Sequence, residues 1–324
     1  MGKILLTGNG TTSQLIYSYK DEYMIEEFKK QKPEAYDSIN RFFNTFRVSE
    51  LATKDETKAH VLCVLQDKGF SNHATIYKTF FEDYGLYQET KKKHVTNIEA
   101  LLKVARLNNF DNSLYGEVEK TANSIYYNNG HHGLKAIDNK LISLEKFKIF
   151  INEFRSVFTT NYDSILDELS EKEVYHLHGG FYYTREKKDN GEIHIVKSKK
   201  HSIPDASTLI WGTDAEEKIE KMHGGFTIPM SFPFNPGGYS ILDEYYRGLQ
   251  SIDVDQLFIW GFSGYNDAHI NEAISKNPNI KKIYKYCNPA NEANDSNYKK
   301  LIEEMYPHKE IFLLGWDMIW KQIE

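Results

Sequence analysis

The sequence predicts an α/β fold: a Rossmann-like, largely parallel sheet with helices on both faces and a large helical insertion. Three observations lead there. The chain opens on the apolar run Ile4-Leu5-Leu6, which enters a glycine turn at Gly8-Asn9-Gly10 as a buried parallel strand does before a helix. From Arg155 onward, short apolar runs alternate with helix-patterned segments, the pattern of repeated strand–helix units. Between the two, from about Lys20 to Asn152, apolar residues recur at helical spacing within polar segments. Residues 1–19 and 153–324 are therefore read as one α/β domain and 20–152 as a helical insertion or cap.

The elements follow in order. After the first strand, Gly8–Ser13 forms a turn with a helix expected from near Ser13. Paired glycines let backbone approach a ligand closely, and a helix start offers N–H donors to phosphate; an ordinary strand-to-helix turn accounts for the residues equally well. The insertion shows helical stripes at Met24-Ile25 with Phe28, at Ile39, Phe42, Phe43 and Phe46, and at Val61-Leu62 with Val64-Leu65. Loop-like pieces interrupt it at Asn108–Asn112 and Tyr126–Gly133. The second series runs from the strand candidates Ser156–Asp163 and Val174–Gly180, separated by the helical Ser164–Glu173, to Glu192–Ser198 and Thr208–Thr213. The helix-like Ala215–Met222 follows, then the proline- and glycine-rich Gly224–Tyr239, too broken for a regular element. Helix and strand then alternate from Ser240 to the terminal helix, with strands at Gln256–Ser263, Lys281–Asn288 and Glu310–Leu314.

Composition narrows the partners. In 324 residues, 40 Lys+Arg against 46 Asp+Glu give a formal charge of −6, which does not favour general attraction to nucleic-acid phosphate. The basic runs Lys91–His94 and Lys197–His201 read as solvated surface. Two cysteines, Cys63 and Cys287, build neither a disulfide framework nor a four-cysteine zinc site and suit a reducing cytoplasm. The start of the chain has no signal-peptide core and no stretch reaches membrane-spanning length, so no membrane association is expected. His131-His132 has no third ligand at suitable spacing, and no metal is expected.

The glycine turn also excludes two chemistries. Ser13 stands where a dinucleotide-binding GxGxxG motif would place its third glycine, and Asp21 and Glu22 lie in helix-like sequence rather than at the end of a second strand, which counts against hydride transfer. No Gly-Lys-Ser/Thr ending follows, so the turn is not a phosphate-binding P-loop.

In order, GNGTTS at Gly8–Ser13, TTNYD at Thr159–Asp163, LHG at Leu177–Gly179, GFS at Gly261–Ser263 and CNP at Cys287–Pro289 resemble the sirtuin superfamily. More narrowly, they resemble its divergent, zinc-free bacterial members that cleave NAD in anti-phage defence. The resemblance covers residues 1–15 and 155–324. It implies NAD as substrate, with Gly8, Asn9, Gly10 and Ser13 holding the pyrophosphate and Thr160 among the NAD contacts. Gly261 and Ser263 would touch ribose and phosphate, and Asn288 the adenosine ribose. Asn161 would contact the nicotinamide ribose and orient water, Asp163 would hydrogen-bond the carboxamide, and His178 would act as base. Gly315-Trp316-Asp317 matches loosely the segment that closes over adenine.

Plain alternatives stand beside these roles. Asn161 and Asp163 equally suit capping a helix from Ser164. His176 competes with His178, because strand alternation puts both on one side. Asp267 and His269 follow the GFS loop at a helix start and suit capping or solvent. The resulting expectation is an NAD glycohydrolase that gives nicotinamide and ADP-ribose and depletes NAD during phage infection. It would be controlled by homo-oligomer assembly or a regulatory partner. The alternatives are a protein deacylase or ADP-ribosyltransferase, or a non-catalytic NAD or ADP-ribose sensor.

Overall fold

The computed structural model describes residues 2–83, 86–108, 113–187, 189, 193–198, 240–264, 267–288, 292 and 295–324. The sequence readings at Asn109–Asn112, Thr208–Thr213, Ala215–Met222, Gly224–Tyr239 and Pro289 lie outside them.

Six strands form one parallel sheet: β1 (Lys3–Thr7), β2 (Ser156–Thr159), β3 (Val174–His176), β6 (Gln256–Trp260), β7 (Lys282–Cys287) and β8 (Glu310–Gly315), in the order β3-β2-β1-β6-β7-β8. The chain steps outward from β1 through β2 to β3, then returns to pair β6 on the other side of β1. Strand order therefore reverses between β1 and β6, the place where open α/β sheets leave a crevice at their carboxyl edge. Ile4, Leu5 and Leu6 in the central strand are fully buried, as a strand covered on both faces requires.

The two faces are packed differently. On one, Phe258, Tyr284 and Phe312 stand in register across β6, β7 and β8 and stack at 4.6 and 4.8 Å between centroids. On the other, Ile4, Leu6, Leu257, Ile259, Ile283 and Ile311 share a core cluster with Ile270, Ile274, Ile302 and Tyr306.

β4 (Tyr183–Lys187) and β5 (Ile193–Lys197) make a separate antiparallel pair. Of the strand candidate Glu192–Ser198, Ile193–Lys197 is thus a strand, but outside the parallel series. The few residues between Lys187 and Ile193 suffice for a hairpin, whereas a parallel return needs a long crossover.

The helices are α1 (Asn9–Leu15), α2 (Asp21–Gln31), α3 (Pro33–Phe43), α4 (Lys54–Asp67), α5 (His73–Ile76), α6 (Leu86–Glu89), α7 (Ile98–Asn108), α8 (Ser113–Gly130), α9 (Leu144–Asn152), α10 (Ile165–Leu169), α11 (Ser240–Ser251), α12 (Ala268–Lys276), α13 (Ser296–Met305) and α14 (Asp317–Ile323). The chain folds as two compact units. One holds Lys20–Tyr126, and the other holds the residues up to Tyr19 and nearly all of those from Tyr127 on. The helical unit buries Met24, Ile25, Phe28, Ile39, Phe43, Phe46, Val61 and Leu65, the stripes its sequence shows. Its α4 starts on a capping box, in which Glu56 N donates to Thr53 Oγ1 at 3.2 Å while Thr53 N donates to Glu56 Oε2 at 2.8 Å.

Two sequence boundaries move. Residues 127–152 belong with the sheet, because α9 seats Phe147 and Phe150 edge-on to Trp260 of β6 at 5.9 and 6.2 Å. The segment Tyr126–Gly130, read as loop, continues α8; its asparagines leave the helix intact and the turn falls at His131-His132. Among the described residues no helix is long and apolar enough to cross a membrane.

Candidate active site at the carboxyl edge of the sheet

All six strands run the same way, so the ends of β1, β2, β3, β6, β7 and β8 bring the motif residues to one edge. At the reversal point the loops after β1 and β6 cross backbone to backbone. Gly8 N donates to Trp260 O at 3.1 Å and Gly10 N to Gly261 O at 2.9 Å, while Thr11 Oγ1 donates to Trp260 O at 2.7 Å. A Cβ at Gly8 would lie 2.7 Å from Gly261 O and Phe262 Cα, and one at Gly10 2.8 Å from Gly261 O. Gly261 itself has φ +67°, and its Cβ would fall 2.0 Å from Thr11 N. The glycines are thus demanded by the crossing of two loops. One correction follows: α1 begins at Asn9 with Gly8 as its N-cap residue, not near Ser13. Ser13 lies inside the helix and its hydroxyl donates to Gly10 O at 3.1 Å.

Behind this crossing, β1 and β2 end on threonines joined at 2.8 Å, Thr7 Oγ1 donating to Thr159 Oγ1. Thr159 Oγ1 in turn accepts from Asn161 N at 3.0 Å, and Thr160 N donates to Thr7 O at 3.1 Å, which turns the TTNYD segment over the end of β1. Asp163 is buried with both carboxylate oxygens engaged: Oδ2 accepts from Thr12 Oγ1 at 2.7 Å and Oδ1 from Ile165 N at 3.0 Å. The second bond is the one the capping alternative describes, at the start of α10. Burial raises the Asp163 carboxyl above the usual carboxylate range, against the pull of these two donors. Asn161 differs. The residue is 6% exposed, it makes no helix cap, and its Oδ1 is buried without a hydrogen-bond partner among the described residues.

The two histidines separate, because β3 ends at His176 and the chain turns, Gly179 N donating to His176 O at 3.2 Å with Gly179 at φ +75°. Strand alternation therefore does not extend to His178. His176 is buried with both ring nitrogens occupied, Nδ1 at 2.8 Å from Asn161 O and Nε2 at 2.7 Å from Asp167 Oδ2. Lys197 Nζ reaches the other Asp167 oxygen at 3.0 Å. Burial disfavours charge on His176, but the Asp167 carboxylate and the Asn161 carbonyl outweigh it and hold the imidazole above its usual value. Asp167, likewise partly desolvated, is held below the usual range by His176 and Lys197.

His178 is equally buried but faces different groups. Its Nε2 lies 3.3 Å from His269 Nε2 and 3.2 Å from Asp267 Oδ1. His269 is pushed down to about 3 by burial and by His178, so it stays neutral at ordinary pH. Asp267 and His269 sit at the start of α12, which is braced by Asn271 Nδ2 donating to Gly264 O at 2.6 Å and by Tyr306 OH donating to Asn271 Oδ1 at 2.7 Å.

The remaining motif residues spread along the edge. Ser263 is exposed after β6, and the Phe262 carbonyl before it accepts from the buried Lys285 Nζ at 2.5 Å. Burial lowers the Lys285 ammonium to about 8. Asn288 follows β7, its N donating to Glu292 Oε2 at 2.9 Å, and Trp316 N donates to Cys287 O at 3.0 Å. His131 stacks on Tyr127 at 4.6 Å, and its Nδ1 lies 2.8 Å from Tyr127 O. Sequence reasoning missed Lys285, Thr7 and the convergence of Asp267 and His269 on His178; only the spacing of polar residues after two strand ends hinted at the last. No family model, curated protein or solved structure matches the chain.

Proposed function

We propose that this chain is an NAD glycohydrolase, whose site is the edge formed by Gly8–Ser13, Thr160–Asp163, His178 and the Gly261–Ser263 loop. The observation that carries the reading is Asn161: a buried amide oxygen with no donor among the described residues, just past the end of β2, which pairs with β1 beside the reversal of strand order. A buried acceptor left unpaired is costly, and a ribose hydroxyl or an attacking water supplies the missing donor. Cleavage of the nicotinamide–ribose bond builds positive charge on the ribose, which fixed polar groups stabilise. Nicotinamide leaves as a neutral base, so the leaving group needs no acid. Water then bonds to the anomeric carbon, and His178 takes its proton. Asp163 positions the loop by tying α1 to α10, and His176 holds the Asn161 carbonyl from behind.

The biological use, NAD depletion in bacterial defence against phage under the control of assembly or a partner, follows the family resemblance and belongs to the same proposal. The test is NAD consumption by the purified protein, alone and with extract from infected cells. The expected result is NAD loss with the wild type and none with Asn161→Ala; equal loss with both would overturn the role of Asn161.

A further inference from the structure

Besides its place in the proposed NAD site, His178 meets the side chains of Asp267 and His269 at the same edge of the sheet. We propose that these side chains form a binding site for a divalent transition-metal ion of the zinc class. All three are buried, and one ligand atom from each lies within 4.8 Å of the others. The two imidazoles present Nε2 to Nε2 at 3.3 Å, and Asp267 Oδ1 lies 3.2 Å from His178 Nε2. A tetrahedral ion bound at about 2.0–2.1 Å separates neighbouring ligand atoms by about 3.3 Å; the two distances from His178 Nε2 already match this, and the Asp267 and His269 ligand atoms, within 4.8 Å of each other, close the third side by a side-chain rotation. The supports are hydrogen-bonded in place. Gly179 fixes the turn carrying His178, and the Asn271–Tyr306 hydrogen bonds fix the start of α12.

Donor chemistry sets the class of ion. Two imidazoles and one carboxylate suit Zn2+, Co2+ or Fe2+ and not the all-oxygen shells of Mg2+ or Ca2+. Three protein ligands leave a fourth position open, the layout of an exchangeable site rather than a closed structural one. A bound cation also neutralises the buried Asp267 carboxylate. The sequence expectation of no metal rests on two separated cysteines and a His131-His132 pair without a third ligand; the ligands proposed here come instead from the segments after β3 and β6. One consequence rests on the hydrolase reading: the ion occupies His178 Nε2, takes the base out of service and inhibits NAD cleavage reversibly.

The test titrates chelator-treated, full-length protein with Co2+. Expected are visible absorption bands of tetrahedral Co2+ that saturate at one equivalent, disappear on adding Zn2+, and accompany a higher melting temperature with Zn2+. Asp267→Asn and His269→Gln, checked for folding by circular dichroism, should each weaken Co2+ binding at least about 100-fold, since even outer-shell partners cost 10–100-fold. A wild-type protein with no saturable Co2+ absorbance overturns the site, as does unchanged affinity in both folded variants. Nicotinamide release is followed in parallel. Inhibition by Zn2+ that chelation reverses supports the consequence, and Co2+ binding with unchanged turnover overturns the consequence alone. Saturable Co2+ binding in a protein that never cleaves NAD defeats the hydrolase reading and leaves the metal site standing.

Discussion

His176 and His178 are two positions apart and equally buried, yet their surroundings are opposites. Around His176 every polar direction is closed: the Asn161 carbonyl on one nitrogen, Asp167 on the other, and Lys197 behind Asp167. Around His178 the ring faces a second imidazole and a carboxylate. Burial of a histidine therefore does not mark function; what its two nitrogens already hold does. A ring held at both nitrogens, between a carbonyl and a carboxylate, braces the fold, whereas the His178 ring meets a second imidazole and a carboxylate at the same nitrogen.

Four experiments put that contrast at risk. The largest effect belongs to His178: His178→Ala should lower nicotinamide release by about 10²–10⁴-fold with little change in melting temperature, while His176→Ala retains more turnover and loses stability. Parallel kinetics and calorimetry on both variants decide, and a reversed order would exchange the roles. Next comes Gly261→Ala, which forces a Cβ to within 2.0 Å of Thr11 N at φ +67°. It should cost about 3 kcal/mol in a denaturant titration and weaken NAD binding through the displaced glycine loop. A neutral result would mean that the two loops do not cross as described.

Asp167→Asn removes the charged partner of a buried imidazole and should cost about 3 kcal/mol, read from the urea midpoint. The smallest effect is the pH dependence of that loss. His176 is raised in the folded state, so its contribution is complete below about pH 6.5 and fades as pH climbs through the raised value. Asp167 is lowered, so its contribution is complete above about pH 4 and fades as pH falls through the lowered value. The stability gap between wild type and Asp167→Asn should therefore be wider at pH 6 than at pH 9. A gap that grows toward alkaline pH would contradict a charged His176.

Much of the sheet is legible because its strands are short apolar runs, two of them ending on Thr7 and Thr159, and Ile4–Leu6, Val157–Phe158 and Leu257–Ile259 take their places accordingly. The helical stripes of the second unit were equally plain. Where reading failed, tertiary pairing decided. Nothing local tells that Phe147 and Phe150 pack on Trp260, so the sequence alone carries the insertion to Asn152. Period-2 alternation could not show that β3 stops at His176, and this hid the difference between the histidines. At the edge itself the sequence marked Asn161, Asp163 and His178, but the capping bond of Asp163 to Ile165 competes with the role the motif gives it, and the approach of Asp267 and His269 joins chain segments far apart.

Product stoichiometry tests the hydrolase most directly. Protein is incubated with NAD, with and without infected-cell extract, and nicotinamide and ADP-ribose are resolved by chromatography. The two products should form in equal amounts with wild type, and neither with His178→Ala. Nicotinamide without free ADP-ribose would mean transfer to an acceptor, and NAD bound but intact under both conditions would make this edge a sensor and contradict the hydrolase.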